Sequence, residues 1–174
     1  MLSPKSNWFW YIQQQKLCIS LGDELEFVTA FSLSMLLNTP QTPALFSLEN
    51  SACYTALADR LQSSDLRRSA AQQTQILLNA TAALSFHKPL SPKSWFFSTQ
   101  ATFGAHKQLA FLENEYGNGL VLAISEEYGA VTCMLLSASL QLNEHKSLSQ
   151  FQLIKVMANR LIPFIAEMPS RQTA

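Results

Sequence analysis

The chain opens on an alternation. Trp8, Trp10 and Ile12 fall on one side of a two-residue period and Phe9 and Tyr11 on the other; past Gln13, Gln14 and Gln15, Leu17, Ile19 and Leu21 alternate with Cys18 and Ser20. That is the period of β-strands. Gly22 and Asp23 offer a tight reversal with glycine where φ must be positive, and Leu25 and Phe27 resume the alternation, so a three-stranded antiparallel meander is predicted. The period then lengthens. Residues 30–37 read as a short helix halted by Pro40 and Pro43; Asn50 or Ser51 caps a longer one whose stripe is Tyr54, Leu57 and Leu61. Asp65 caps a further helix with Ile76, Leu77, Ala80, Ala83 and Leu84 on a single face, ending before Pro89.

Beyond Pro89 short β-prone runs return at 95–99, 109–113, 120–125, 131–137 and 140–142, with reversals at Gly117, Asn118 and Gly119 and at Tyr128 and Gly129. Val131, Cys133 and Leu135 alternate with Thr132, Met134 and Leu136, so this strand is apolar on both faces: either both are packed or one lines a groove. Phe151, Ile154, Ala158 and Leu161 share a helical face up to Pro163, and 167–174 read as a frayed tail. The predicted class is α+β. Residues 1–90 form an N-terminal α/β portion with antiparallel strands and helices, and 91–174 a small antiparallel, β-barrel-like portion plus a C-terminal helix.

Composition narrows the function. With 48% hydrophobic and 14% charged residues, 174 residues can close a core, and twelve basic against twelve acidic side chains leave no net field to draw the chain onto nucleic acid or an anionic bilayer. The first apolar run is too short for a secretory leader and no run approaches the roughly 20 residues of a membrane span, so a soluble cytoplasmic protein is expected. Cys18, Cys53 and Cys133 are an odd number at wide spacing, which fits buried small hydrophobes better than disulfides or zinc. His87, His106 and His145 are isolated, five glycines form no phosphate cradle, and Glu113, Glu115, Glu126 and Glu127 sit at presumed hairpin ends as solvated charge. No catalytic constellation, metal site or cofactor is read. A small-molecule or lipid-binding β domain with an apolar pocket around Cys133 is the alternative from another class.

What stands out is residues 88–95: Lys88-Pro89-Leu90-Ser91-Pro92-Lys93-Ser94-Trp95. Two prolines fix φ and push their predecessors toward extended geometry, making a stiff strap that displays two cations beside an indole. The cluster Trp8, Phe9, Trp10 and Tyr11 has two readings, a core strand with one face of indoles or a lining that receives a partner's apolar side chain.

Four segments together resemble one family. Asn7-Trp8-Phe9-Trp10-Tyr11, the run Leu77-Leu78-Asn79-Ala80, the strap motif from Lys88 to Trp95, and Ile154-Lys155 followed by Met157, Arg160, Leu161 and Pro163 are similar, in that order, to the ZapC family of cell division proteins. Gln13, Gln14 and Gln15 stand where that family tends to carry charge, and 100–118 match only loosely. The resemblance implies a two-part molecule, α/β then barrel-like, with no cofactor and no nucleic acid. It implies a cytoplasmic factor recruited to midcell that binds the tubulin-like GTPase FtsZ and promotes lateral bundling of its protofilaments in the Z-ring. Lys88 and Lys93 are then the expected charged contacts, with Trp8, Trp10, Ile19 and Trp95 as groove walls that could hold the acidic C-terminal peptide of FtsZ. Bundling needs two attachment points per particle, supplied by two sites on a monomer or by self-association.

Overall fold

In the computed structural model, which describes residues 1–165, the opening alternation becomes β1 (Phe9–Gln13), β2 (Lys16–Ser20) and β3 (Glu26–Ser32), joined as an antiparallel meander. A short strand, β4 (Ala44–Leu45), pairs on the other side of β1 to complete the order β3-β2-β1-β4. The first hairpin turns on Gln14 and Gln15, at φ 48° and 62°. Two successive residues of positive φ give the turn whose twist matches a β-ribbon, here without glycine. Gly22 opens the second reversal at φ 76°, where a side chain would also reach within 2.5 Å of the Asn7 amide. The helix expected over 30–37 does not form. Phe31 is buried as a strand residue, Lys16 pairs with Ser32, and only one 3-10 turn, Leu33–Met35, follows. Sheet pairing outweighs the weak local preference.

Helices α1 (Leu48–Ser63) and α2 (Ala70–Phe86) form an adjacent pair. Each begins on a reciprocal cap other than the expected one, α1 upstream of Asn50 at Ser47 and α2 downstream of Asp65 at Ser69. Ser47 accepts from Asn50 N at 3.1 Å while Asn50 Oδ1 accepts from Ser47 N, and Ser69 and Gln72 repeat the arrangement. Serine followed three residues later by an amide side chain satisfies two orphan N–H groups at once, which a lone Asp65 does not. Asn50 does more than cap. Its Oδ1 also accepts from Trp10 Nε1 at 3.0 Å, and its Nδ2 donates to Ser85 Oγ at 2.7 Å, so one amide joins β1, α1 and α2.

Helix α2 carries no single stripe. From Ile76 to Ala83 every side chain is buried, because α2 touches both β3 and the second sheet as well as α1. A helix apolar on all sides belongs inside. Its one buried amide is paired: Asn79 Oδ1 accepts from Ala30 N at 2.8 Å and its Nδ2 donates to Gln75 O at 2.9 Å.

The second sheet is antiparallel, ordered β10-β7-β6-β5-β11: β5 (Leu109–Asn114), β6 (Gly117–Glu127), β7 (Ala130–Leu135), β10 (Leu153–Met157) and β11 (Ile162–Pro163). It is a five-stranded sheet with β10 and β11 at its ends rather than a closed barrel, and β8 (Ser139–Gln141) with β9 (Ser147–Ser149) make a separate hairpin. Residues 95–99, expected to be a strand, begin instead in a 3-10 turn over Ser94–Phe96.

The C-terminal helix is also corrected. Residues 153–157 pair one for one with 134–130, and a 3-10 turn at Ala158–Arg160 leads into β11. Ile154 and Val156 satisfy a strand period as well as Ile154 and Ala158 satisfy a helical one. The unpaired edge of β7 decides, since its N–H and C=O groups need partners. The frayed tail expected at 167–174 lies outside the described residues.

Leu122, Ile124, Met134 and Leu136 of the second sheet share one core with Trp8, Trp10, Tyr54 and Leu77; Val121, Cys133, Leu135 and Val156 on its other face form a second core with Phe97, Leu140 and Leu161. Replacing the amide that links α2 to β3 tests this arrangement. Asn79→Ala strands the Ala30 N–H and should lower stability by about 1–3 kcal/mol, measured as the urea midpoint at unchanged m-value.

Candidate functional site

Helix α2 gives way to the strap at His87, whose backbone is already extended at φ −69° and ψ 141°. Pro89 explains the abrupt exit, since the residue before proline is pushed out of the helical region. The strap is pinned at both ends. Leu37 N donates to Phe86 O at 2.6 Å and Lys88 N to Met35 O at 2.9 Å, while at the far end Lys93 N donates to Lys155 O at 2.7 Å and Met157 N to Ser94 Oγ at 2.8 Å. Between the pins, Pro89 and Pro92 have no N–H to leave unsatisfied. The segment lies along the outer edge of β10 as a rigid cover.

Both strap lysines remain exposed. Lys88 Nζ donates to Ser34 O at 2.8 Å, which uses one of its three protons and fixes its stem; Lys93 Nζ has no hydrogen bond or ion pair among the described residues. Under the strap lies a hollow of about 270 Å3, with Leu84, Ile124, Leu90 and Leu153 as its apolar part and Lys88 and Lys155 at its rim. A smaller one of about 60 Å3 continues it past Leu90, with Lys93 and Lys155 on its walls. Lys155 therefore belongs to both. Its side chain is only 18% exposed and faces Glu127 at 3.8 Å, which offsets part of the desolvation of its ammonium.

The expected groove residues divide. Trp8, Trp10 and Ile19 are fully buried: Trp8 meets Phe46 and Tyr54 edge-on and Trp10 bonds to Asn50. They build the core beneath α1, and the apolar side chains that line the hollow are Leu84, Leu90, Ile124 and Leu153. Trp95 is 72% exposed, yet it lines a different cleft beyond the strap's far end. Lys155 is the residue that sequence reasoning missed. Its signal was the strand period of 153–157, which sends Leu153 and Lys155 to one face and Ile154 and Val156 to the other.

The pocket expected around Cys133 is filled. Met134 and Leu136 pack toward α2 while Val131, Cys133 and Leu135 fill the second core, and burial pushes the Cys133 thiol up to about 12. No three His, Cys, Asp or Glu side chains gather into a metal cage among the described residues, and no helix among them is long and apolar enough to cross a membrane.

These features define an α+β protein in which two antiparallel sheets share a core with a helix pair and a braced cationic strap bridges its two halves. Family models for the N-terminal and C-terminal parts of the cell-division protein ZapC match residues 1–88 and 89–167. The chain belongs to the ZapC family of cell division proteins. It is 47% identical over 173 residues to the cell division protein ZapC of Pseudoalteromonas atlantica, covering 97% of each chain. With those of Shewanella frigidimarina and Aeromonas hydrophila it shares 37% over 167 residues, 94% of each chain, and 33% over 166 residues, 93% of this chain and 92% of the relative.

The far pin is open to test. Ser94→Ala removes the acceptor of Met157 N–H while leaving both cores intact, so hydrogen exchange should show the Met157 amide losing protection at a stability loss of only about 0.5–1.5 kcal/mol.

Proposed function

We propose that this chain acts by adhesion, binding FtsZ in the cytoplasm at the division site and drawing its protofilaments together side by side, without transforming a substrate. The observation that carries this reading is the placement of Lys88, Lys93 and Lys155 along two adjoining hollows, with Glu127 the one carboxylate among their lining residues, on backbone fixed at both ends. Such a surface favours a partner that offers carboxylates beside an apolar side chain. Charge steers the approach and the hollow supplies the buried contact. Rigidity contributes as well, because little conformational freedom is lost when the partner docks.

A single contact of this size is weak. On a polymer that repeats its binding surface weakness is not a handicap, since each further attachment is intramolecular and draws on a high effective concentration. The same reading takes residues 1–90 and 91–174 as the two parts of the molecule, with the strap at their seam. Bundling then follows if one particle reaches two filaments, by a second contact of its own or through a second copy.

Sedimentation of FtsZ polymers with the purified chain tests the reading. Lys88→Glu and Lys93→Glu, both at exposed positions, should each lower co-pelleting about fivefold, equivalent to ~1 kcal/mol, with circular dichroism unchanged and the remaining binding less sensitive to salt. Wild-type chain that neither pellets with the polymers nor thickens them would overturn the proposal.

A further inference from the structure

Past the far pin of the strap lies a second cleft, of about 390 Å3, which the lysine-rimmed hollow does not include. Three separate pieces of chain wall it: Trp95, Phe96 and Phe97 after the strap, Asn114, Glu115 and Tyr116 at the β5–β6 turn, and Leu142 and Asn143 at the β8–β9 hairpin. Its charge balance differs from that of the hollow, where Lys88 and Lys155 outnumber the single carboxylate Glu127. The charged side chain among its lining residues is a carboxylate, Glu115, and its accessible rings are Trp95 and Tyr116, 72% and 44% exposed. The neighbouring Glu144, His145 and Lys146 do not line it.

The walls are braced against one another. Ser98 N donates to Glu113 O at 3.2 Å and Asn114 Nδ2 to Gln141 O at 2.8 Å, tying the aromatic turn to β5 and the β5–β6 turn to β8. Asn143 Oδ1 accepts from His145 N and Lys146 N at 2.9 and 2.8 Å, which fixes the hairpin. Trp95 leans on Phe96 with ring centroids 5.6 Å apart. Glu115 and Tyr116, consecutive at the β5–β6 turn, both line the cleft, and desolvation together with the Glu115 charge raises the Tyr116 phenol above its ordinary pKa.

A carboxylate beside aromatic faces selects cations, because the ring quadrupole and the carboxylate both attract positive charge and the rings cover an aliphatic stem. We propose that this cleft receives a lysine or arginine side chain of the protein that docks on the strap. The proposal rests on the partner-binding reading and adds to it the pattern the partner must carry: an acidic group for the strap lysines and, next to it, a basic one for the cleft. Trp95 stands two residues beyond Lys93, so the two sites adjoin. Lysines alone accept any acidic surface; adjoining sites of opposite sign fix register and direction, and repel a partner with the signs exchanged. The cleft's openness favours a side chain over a free small cation, which would stay largely hydrated there and would have to be immobilised separately.

Trp8 and Trp10 are buried and Trp95 is exposed, so the three indole N–H resonances separate cleft from core in one nitrogen–proton correlation spectrum. Full-length chain is titrated with N-acetyl-arginine amide chloride, with sodium chloride at equal concentration as reference. The Trp95 resonance should move saturably while those of Trp8 and Trp10 stay, and Glu115→Gln should weaken the apparent affinity at least fivefold. Equal movement in sodium chloride, or an unchanged affinity in E115Q, overturns the proposal. In FtsZ sedimentation Glu115→Lys should reduce co-pelleting as Lys93→Glu does. A loss with K93E and none with E115K overturns the cleft alone; no loss with either overturns the strap reading and this proposal together.

Discussion

Enclosure of α2 is the constraint from which the rest of the molecule follows. Its residues 76–83 are buried on every side, so sheet residues must approach it from two directions and α1 from a third. Small side chains at Ala80, Ala82 and Ala83 let those elements come close, and Thr81 and Asn79 are the polar residues carried inside with them. An amide at such depth must bond both ways or it destabilises the helix. Asn79 meets that condition by holding β3 at Ala30 and bonding back within α2 at Gln75.

The strap and the hollow beneath it are a by-product of how that helix ends. Chain leaving a buried helix has to reach the surface quickly, and α2 ends at Phe86, with His87 already extended two residues before Pro89. The strap then meets β10, an end strand whose outward N–H and C=O groups would otherwise invite pairing with another chain. Lys93 N and Ser94 Oγ occupy that edge at Lys155 and Met157. One segment thus covers a sheet edge and, through the same backbone bonds, holds its cations in place. The hollow is formed between this cover, the last turn of α2 and the second sheet.

Much of this was legible in the chain, and the failures have physical causes. Alternation in 8–21 and 109–135 located the strands because one or both faces of each sheet are buried. It could not say which alternate set faces inward, so Trp8, Trp10 and Ile19 were open to two readings until α1 was seen to cover them. Residues 30–37 and 151–161 carry apolar spacings compatible with either period, and there an unpaired neighbouring strand settled the matter. A single Asn50 sets the start of α1 too late and a single Asp65 sets that of α2 too early, because the serine-plus-amide pairs at 47 and 50 and at 69 and 72 satisfy two N–H groups each. Around the strap, the proline spacing is enough to single out Lys88 and Lys93 as exposed cations and Trp95 as an exposed indole, although Trp95 lines the neighbouring cleft. Lys155 is not legible that way, since its orientation depends on β10 being a strand.

The Asn50 amide carries a consequence for motion. Helix ends ordinarily loosen well before a molecule opens as a whole. The first turn of α1 cannot do so cheaply, because releasing Ser47 from its cap also withdraws the acceptor of the Trp10 indole and the partner of Ser85. Peeling that turn would leave the Trp10 indole N–H without its partner at the edge of the aromatic layer, so its amides should open more slowly than those of an ordinary helix end.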